Sequence, residues 1–301
     1  MRVATIPFQQ TMRSALQKSQ QDLVTTQQRL ATGKQVNDVA GLGTDAVRTL
    51  STRSLLAAQE AQGNTARQIG TTLAFYDVNI AQVDTAATDL RASLVTAIGT
   101  GKAPGLQQAA EAAFDQYRSA LNSASEGKAM FGGAQVDAPP FRLGTLADTV
   151  GATAATAFAN DDVRSAARVG DGIDVTNGLT ASELGSDLLA VFRTLAEAGP
   201  IGETPTPAQL AAMKAAVDQL DVATPQIRAV GSANGARQAQ VETLAARADD
   251  RKVLLNSIIA KNEGVDYGQL SIDLETQKQL LDVSSSVFVQ ITRMSLANYL
   301  N

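Results

Sequence analysis

The sequence predicts a mainly α-helical protein: a long antiparallel coiled-coil or helical-bundle rod formed by both chain ends, with a small, partly β insertion in the middle. Three observations predict it. All eight prolines lie at positions 7, 104, 139, 140, 200, 205, 207 and 225, so residues 8–103 and 226–301 lack the residue that interrupts helices. In those two stretches apolar residues recur at alternating spacings of three and four. The chain of 301 residues is also 44% hydrophobic but only 4% aromatic, with no Trp. Its core must therefore come from Leu, Ile, Val and Ala, which suit helices packed side by side.

In chain order, the first helix carries Leu16, Leu23 and Leu30, one heptad apart. Residues 1–40 hold eight glutamines and seven charged side chains, a face suited to neutral neighbours more than to open water. The turn formers of "ATGKQVNDVAGLGT" end this helix, and Thr44 or Asp45 starts the next. There the series Ile69, Leu73, Tyr76, Ile80, Val83, Ala87, Leu90, Leu94, Ala97 forms an a/d seam of about four heptads. "GTGKAPG" closes that helix, and a third is expected over about 106–126. A stretch of different character follows, "EGKAMFGGAQVDAPPF" at 126–141. Here Gly132 and Gly133 let the chain leave a helix and turn sharply. Pro139 and Pro140 stiffen the exit, and Phe131 and Phe141 can pin its two sides to the core.

In "VRSAARVGDGIDVTNG" the triplet "GDG" separates two β-compatible runs, the pattern of a hairpin. A helix is expected over 182–198 with Ser182 as N-cap, then the linker "GPIGETPTP", then helical segments over 208–224 and 225–264 that meet at Pro225. "GVDYG" breaks the chain before the last helix. That helix carries Leu274, Leu281, Phe288 and Ile291 on one seam, widened by Val283, Val287 and Met294. The expected organisation is nested. Residues 1–44 and 265–301 form terminal coiled-coil helices, 45–135 and 182–264 form a helical core rod, and 136–181 form a small outer insertion whose core is too small to fold alone. Periodicity leaves open whether the terminal seams are buried within one chain or between subunits.

Composition narrows the function classes. With neither Cys nor His, the chain has no disulfide, thiolate nucleophile, imidazole base or usual zinc ligand. A net charge of −5 argues against a general nucleic-acid binder, and no run of eighteen apolar residues marks a membrane span. The opening "MRVATIPFQQTMRSALQKSQ" lacks the apolar core of a Sec-type signal peptide. "GLGTDA" lacks the Lys-Ser/Thr of a phosphate-binding loop. The acid pairs Asp161/Asp162 and Asp249/Asp250 read as solvated helix starts and surface faces, and the run Ser284, Ser285, Ser286 has no base to activate it. The expectation is therefore no catalytic residue, no cofactor and no metal.

Several segments together resemble the flagellin superfamily of bacteria, and within it the hook–filament junction proteins. "MRVAT" resembles the opening of the junction proteins, and "QRLATGKQVNDVAGLGTDAV" is similar to their "LSTGKRV…DDP" segment, with Val39, Ala40 and Gly41 where Asp-Pro is common. "EGKAMFGGAQVDAPPF" is similar to their G-x-Y-x-F-x-G-x-x-x-x-x-x-P-F segment at Gly127, Phe131, Gly133, Pro140 and Phe141, with Ala129 in place of the aromatic. "GVDYGQ" and "MSLANYLN" resemble the superfamily's C-terminal segments. The likeness covers both ends, about two-thirds of the chain, and little of 136–181.

The resemblance implies a structural subunit at the junction of hook and filament, polymerising through terminal helices that become ordered on assembly. It implies Leu16, Leu23, Leu30, Leu274, Leu281, Phe288 and Ile291 as the assembly interface, and Phe131, Gly132, Gly133, Pro139, Pro140 and Phe141 as the junction between core and outer domain. The implied partners are flagellin, the other hook-associated junction protein, further copies of the chain and a flagellar export chaperone. The implied location is the extracellular flagellum, reached through the flagellar type III apparatus without a cleaved signal. A short flagellin that builds the filament itself is the alternative; a helical adaptor or secreted regulator is a third reading.

Overall fold

The computed structural model describes the backbone of residues 5–36, 40–170 and 172–300, and the side chains of 10–36, 41–170 and 172–290. The fold is mainly α, with long helices packed on one another and two small antiparallel strand pairs among the described residues. The helices are α1 (Thr5–Thr32), α2 (Asp45–Thr100), α3 (Leu106–Leu121), α4 (Ala154–Ala157), α5 (Ala181–Glu197), α6 (Pro207–Glu263) and α7 (Tyr267–Leu300). The strands are β1 (Ala124–Ser125) with β2 (Lys128–Ala129), and β3 (Ala166–Gly170) with β4 (Ile173–Thr176). Two compact units divide the chain, 59–250 and 1–58 with 251–301.

In the 59–250 unit the heptad series of α2 is the floor of the core. Every member from Ile69 to Ala97 is buried. Against it lies α6, which buries Met213, Ala216, Leu220, Ala223, Ile227 and Val241. Three ion pairs give the antiparallel register of these helices: Arg67–Asp249, Asp84–Arg228 and Arg91–Asp221. All three are largely exposed and individually contribute little. The hydrogen bonds from Arg91 hold the Asp221 carboxyl below its ordinary range. Inside the contact, the buried Asn234 amide donates to the Leu73 carbonyl at 2.9 Å.

A second layer is aromatic. Phe114 and Tyr117 of α3, Phe192 of α5, and Phe141 and Phe158 form one connected cluster with ring centroids 5.1–6.2 Å apart. Aromatics are scarce in this chain, but they are concentrated here, where the sequence reading expected aliphatic packing throughout. Burial pushes the Tyr117 phenol well above its ordinary range, so its hydroxyl stays protonated. It donates to the Gly185 carbonyl at 2.9 Å. A Cβ at Gly185 would meet the Tyr117 hydroxyl at 2.6 Å, so α5 can lie this close to α3 only with glycine there.

Three expectations change in detail. The third helix stops at Leu121, and Asn122 to Ala129 fold into the β1–β2 hairpin. Its turn has positive φ at both Glu126 (53°) and Gly127 (78°), the pattern of a tight hairpin. Helix α5 begins at Ala181 and its N-cap is Thr180, whose hydroxyl accepts from the Glu183 N–H, so Ser182 lies inside the helix. Pro225 does not divide α6. Proline removes its own N–H bond to the Asp221 carbonyl, and its ring crowds that carbonyl. Its ring faces solvent, and Ala223, Thr224 and Ile227, buried on either side, keep the helix seated. The expected hairpin around "GDG" is present as β3–β4, although Asp171 itself lies outside the described residues.

Pro225 thus costs α6 one hydrogen bond without breaking it. Pro225→Ala is expected to raise the stability of the protein by about 1–3 kcal/mol, read as a higher midpoint in urea with an unchanged slope. An unchanged or lower midpoint would show that the ring contributes packing of its own.

Candidate assembly interface and chain junction

The unit of 1–58 with 251–301 is built on an antiparallel pair. Helix α1 packs along α7, and the end of α1 meets the start of α7 where Lys34 and Gly264 form an antiparallel bridge. The Val265 N–H donates to the Gly33 carbonyl at 3.3 Å. Asp266 caps α7, its Oδ1 accepting from the Gly268 and Gln269 N–H groups. Gly33 has φ of 67°, and a Cβ there would collide with the Tyr267 hydroxyl.

The sequence-chosen interface residues lie on facing stripes of this pair but are incompletely covered. Leu16, Leu23 and Leu30 are half-buried, and so are Leu274, Leu281 and Phe288. The side chains of Ile291 and Met294 lie outside the described residues. Val287 is half-buried, whereas Val283 is 61% exposed and points away from the stripe it was expected to widen. Between the leucines the stripes carry Ser19, Thr26, Gln277 and Ser284, small or polar groups with little area to bury. Ile272, Leu280 and Val289 are exposed on α7, as are Val47 and Leu50 on α2 and Val253 and Leu254 on α6. A solvated helix face normally carries charge at such positions.

The junction residues sit in the other unit, where the chain departs from the helices and returns. Phe131 is fully buried and edge-on to Tyr76 at 5.0 Å. The Tyr76 hydroxyl donates to the Met130 carbonyl at 2.6 Å. The Phe131 carbonyl accepts from the Ala181 N–H at 2.9 Å, so departure and return are tied at one point. Gly132 and Gly133 do make the turn, although they follow the β1–β2 hairpin and not a helix. Gly133 has φ of 68°, and a Cβ there would run into Asp161. The Asp161 carboxylate accepts from the N–H groups of Ala134 and Val163, which fixes the turn and gives this acid a structural role.

Pro139 is exposed and Pro140 buried. Phe141 is buried among Phe114, Tyr117 and Phe158, and it bridges to Phe158. Its backbone is gripped by a residue the sequence reading passed over. The Asn122 side chain accepts from the Phe141 N–H and donates to the Phe141 carbonyl, both at 2.9 Å. An Asn directly after an apolar helix end was the available signal. Within the excursion, Leu146, Phe158, Val169, Val175 and Leu179 join the same buried cluster as the helices, while Val150, Val163 and Ile173 are exposed. The excursion therefore has no core separate from the unit that carries it.

Removing the Asn122 clamp would leave both backbone groups of Phe141 without partners, each worth about 1–3 kcal/mol when buried. Asn122→Ala is expected to lower the thermal midpoint more than Asn122→Asp, which keeps the acceptor. A midpoint of Asn122→Ala equal to that of the unmodified protein would mean that the clamp contributes no stability.

No family model matches the chain, and no curated protein matches it. Solved structures do. A protein of Vibrio parahaemolyticus described as a flagellar hook-associated protein aligns with a TM-score of 0.62 at 15% identity, over 75% of this chain and 98% of its own. Bacillus cereus FlgL aligns with a TM-score of 0.58 at 16% identity, over 70% and 99%. Flagellar hook-associated protein-3 of Legionella pneumophila aligns with a TM-score of 0.58 at 11% identity, over 70% and 97%. Over 70–75% of its length, the fold of this chain is similar to that of solved flagellar hook-associated proteins.

Proposed function

We propose that this chain is a structural, non-catalytic subunit of a bacterial flagellum, located at the hook–filament junction. In this reading α1 and α7 polymerise with neighbouring copies and connect the other hook-associated protein to flagellin. The chain reaches the extracellular flagellum through the flagellar type III apparatus, kept competent for export by a chaperone. Residues 1–44 and 265–301 form the part that becomes fully ordered on assembly, 45–135 with 182–264 the core, and 136–181 the outer face.

One observation carries this reading. The α1–α7 stripe is only half-buried within the chain, and α7 exposes Ile272, Leu280, Val283 and Val289 on its other sides. Isolated helix pairs draw most of their stability from packing. A pair with this much uncovered apolar surface is completed by neighbouring subunits. The fold shared with hook-associated proteins supports the location, and the half-buried α1–α7 stripe together with the uncovered apolar residues of α7 supports those helices as the polymerising element.

Leu281→Ala with Phe288→Ala tests it. Full burial of such side chains is worth about 2–5 kcal/mol each, and half-burial in the free chain correspondingly less. The double variant is expected to lower monomer stability modestly and to abolish incorporation into flagella, scored by electron microscopy and motility. A monomer that unfolds outright would show that the stripe is fully intramolecular. A strain lacking the protein should carry hooks without attached filaments. Filaments still attached would overturn the junction role, and long filaments grown from the purified chain alone would favour a short flagellin.

A further inference from the structure

The stripe joining α1 to α7 does not define how far one helix slides along the other. Leu16, Leu23 and Leu30 recur every seven residues, and Leu274, Leu281 and Phe288 do the same. A slide of one heptad, about 10 Å at 1.5 Å per residue, brings leucine opposite leucine or phenylalanine again. Ser19, Thr26, Gln277 and Ser284 between them have no shape that rejects the shifted pairing. Register must be imposed from elsewhere.

Glu263 is the one buried carboxylate among the described residues, 7% exposed at the last position of α6. Its Oε1 accepts from Arg53 Nη2 of α2 at 2.6 Å, and its Oε2 faces Lys34 Nζ at 3.8 Å. Lys34 stands two residues beyond α1, and α7 begins four residues after Glu263. The backbone joins at the same point, because the Gln35 N–H donates to the Glu263 carbonyl at 2.7 Å. Sliding α1 by a heptad would pull Lys34 and Gln35 away and leave a buried carboxylate with one cation fewer. Uncompensated buried charge is among the costlier defects a protein can carry.

We propose that Glu263, held between Arg53 and Lys34, is the register lock of the α1–α7 pair. The repeating stripe supplies adhesion without position, and the charged knot supplies position. The lock belongs to the single chain and stands whether or not the chain assembles at a flagellar junction.

The absence of cysteine makes the test direct. Counting outward from the Lys34–Gly264 bridge, Ser19 lies near the level of Gln277, and a seven-residue slide would bring it near Ser284. In the full-length monomer, the pair Ser19→Cys with Gln277→Cys is expected to form an intramolecular disulfide, and the pair Ser19→Cys with Ser284→Cys to form little. Adding Glu263→Gln should raise the shifted cross-link about tenfold, the change that ~1.4 kcal/mol of lost preference produces. Reversing all three charges, with Lys34→Glu, Arg53→Glu and Glu263→Arg together, should restore the original pattern. An unchanged pattern in Glu263→Gln overturns the lock, and so does failure of the reversed triple to restore register. If Glu263→Gln loses helix by circular dichroism, the reversed triple alone decides.

Discussion

A helix can hide one stripe of its surface, and the 59–250 unit is organised by the stripe that α2 hides. From Ile69 to Ala97 that seam admits no charge and almost no water. Whatever packs there must be helical, antiparallel and small-featured at the contact, which is what α6 supplies. The surface ion pairs align α6 but do not hold it. Its hold comes from apolar area removed from water along the length of the contact. The aromatic layer of α3 and α5 then covers what α2 and α6 leave open. Within that layer, glycine at 185 sets how close α5 comes to α3.

Against this frame the excursion of 132–180 behaves as an insertion whose two ends lie side by side. The chain leaves after Phe131 and re-enters at Ala181, and one backbone hydrogen bond joins the two. Yet the excursion also lends Phe141, Leu146 and Phe158 to the common core. Topology makes it separable while packing makes it dependent. The other unit shows the opposite balance, with a long contact between α1 and α7 and no residue of α1's leucine series fully buried.

Much of this was legible in the residues. Heptad spacing is a direct image of helix geometry, so the α2 seam was read position by position, and proline positions located most helix limits. Phe131, Gly133 and Phe141 were visible because glycine and aromatic residues in an Ala- and Gln-rich chain need a reason. What escaped depended on distant partners. Asn122, Asp161 and Glu263 look like ordinary polar residues until the fold brings Phe141, Ala134 and Arg53 to them. Pro225 was read as a boundary because local propensity says so, and burial on both sides of it overrode the local rule. Thr180 displaced Ser182 as cap because both residues qualify and only tertiary contacts choose between them: Asn160 accepts the Ser182 N–H at 3.1 Å.

The close pass of Tyr117 over Gly185 has a consequence for how this protein can change over time. A larger residue at 185 is admissible only after 117 has become smaller and the Leu121 side chain has moved aside, because both already occupy the room a Cβ would need. Shrinking 117 first opens a void among Phe114, Phe141 and Phe192 and loses the hydroxyl that satisfies the Gly185 carbonyl. Either order passes through a weakened intermediate, so the two positions form one evolutionary unit. Descendants of this chain should keep both residues or replace both, and a lineage that has changed one alone should carry a compensating substitution in the surrounding rings.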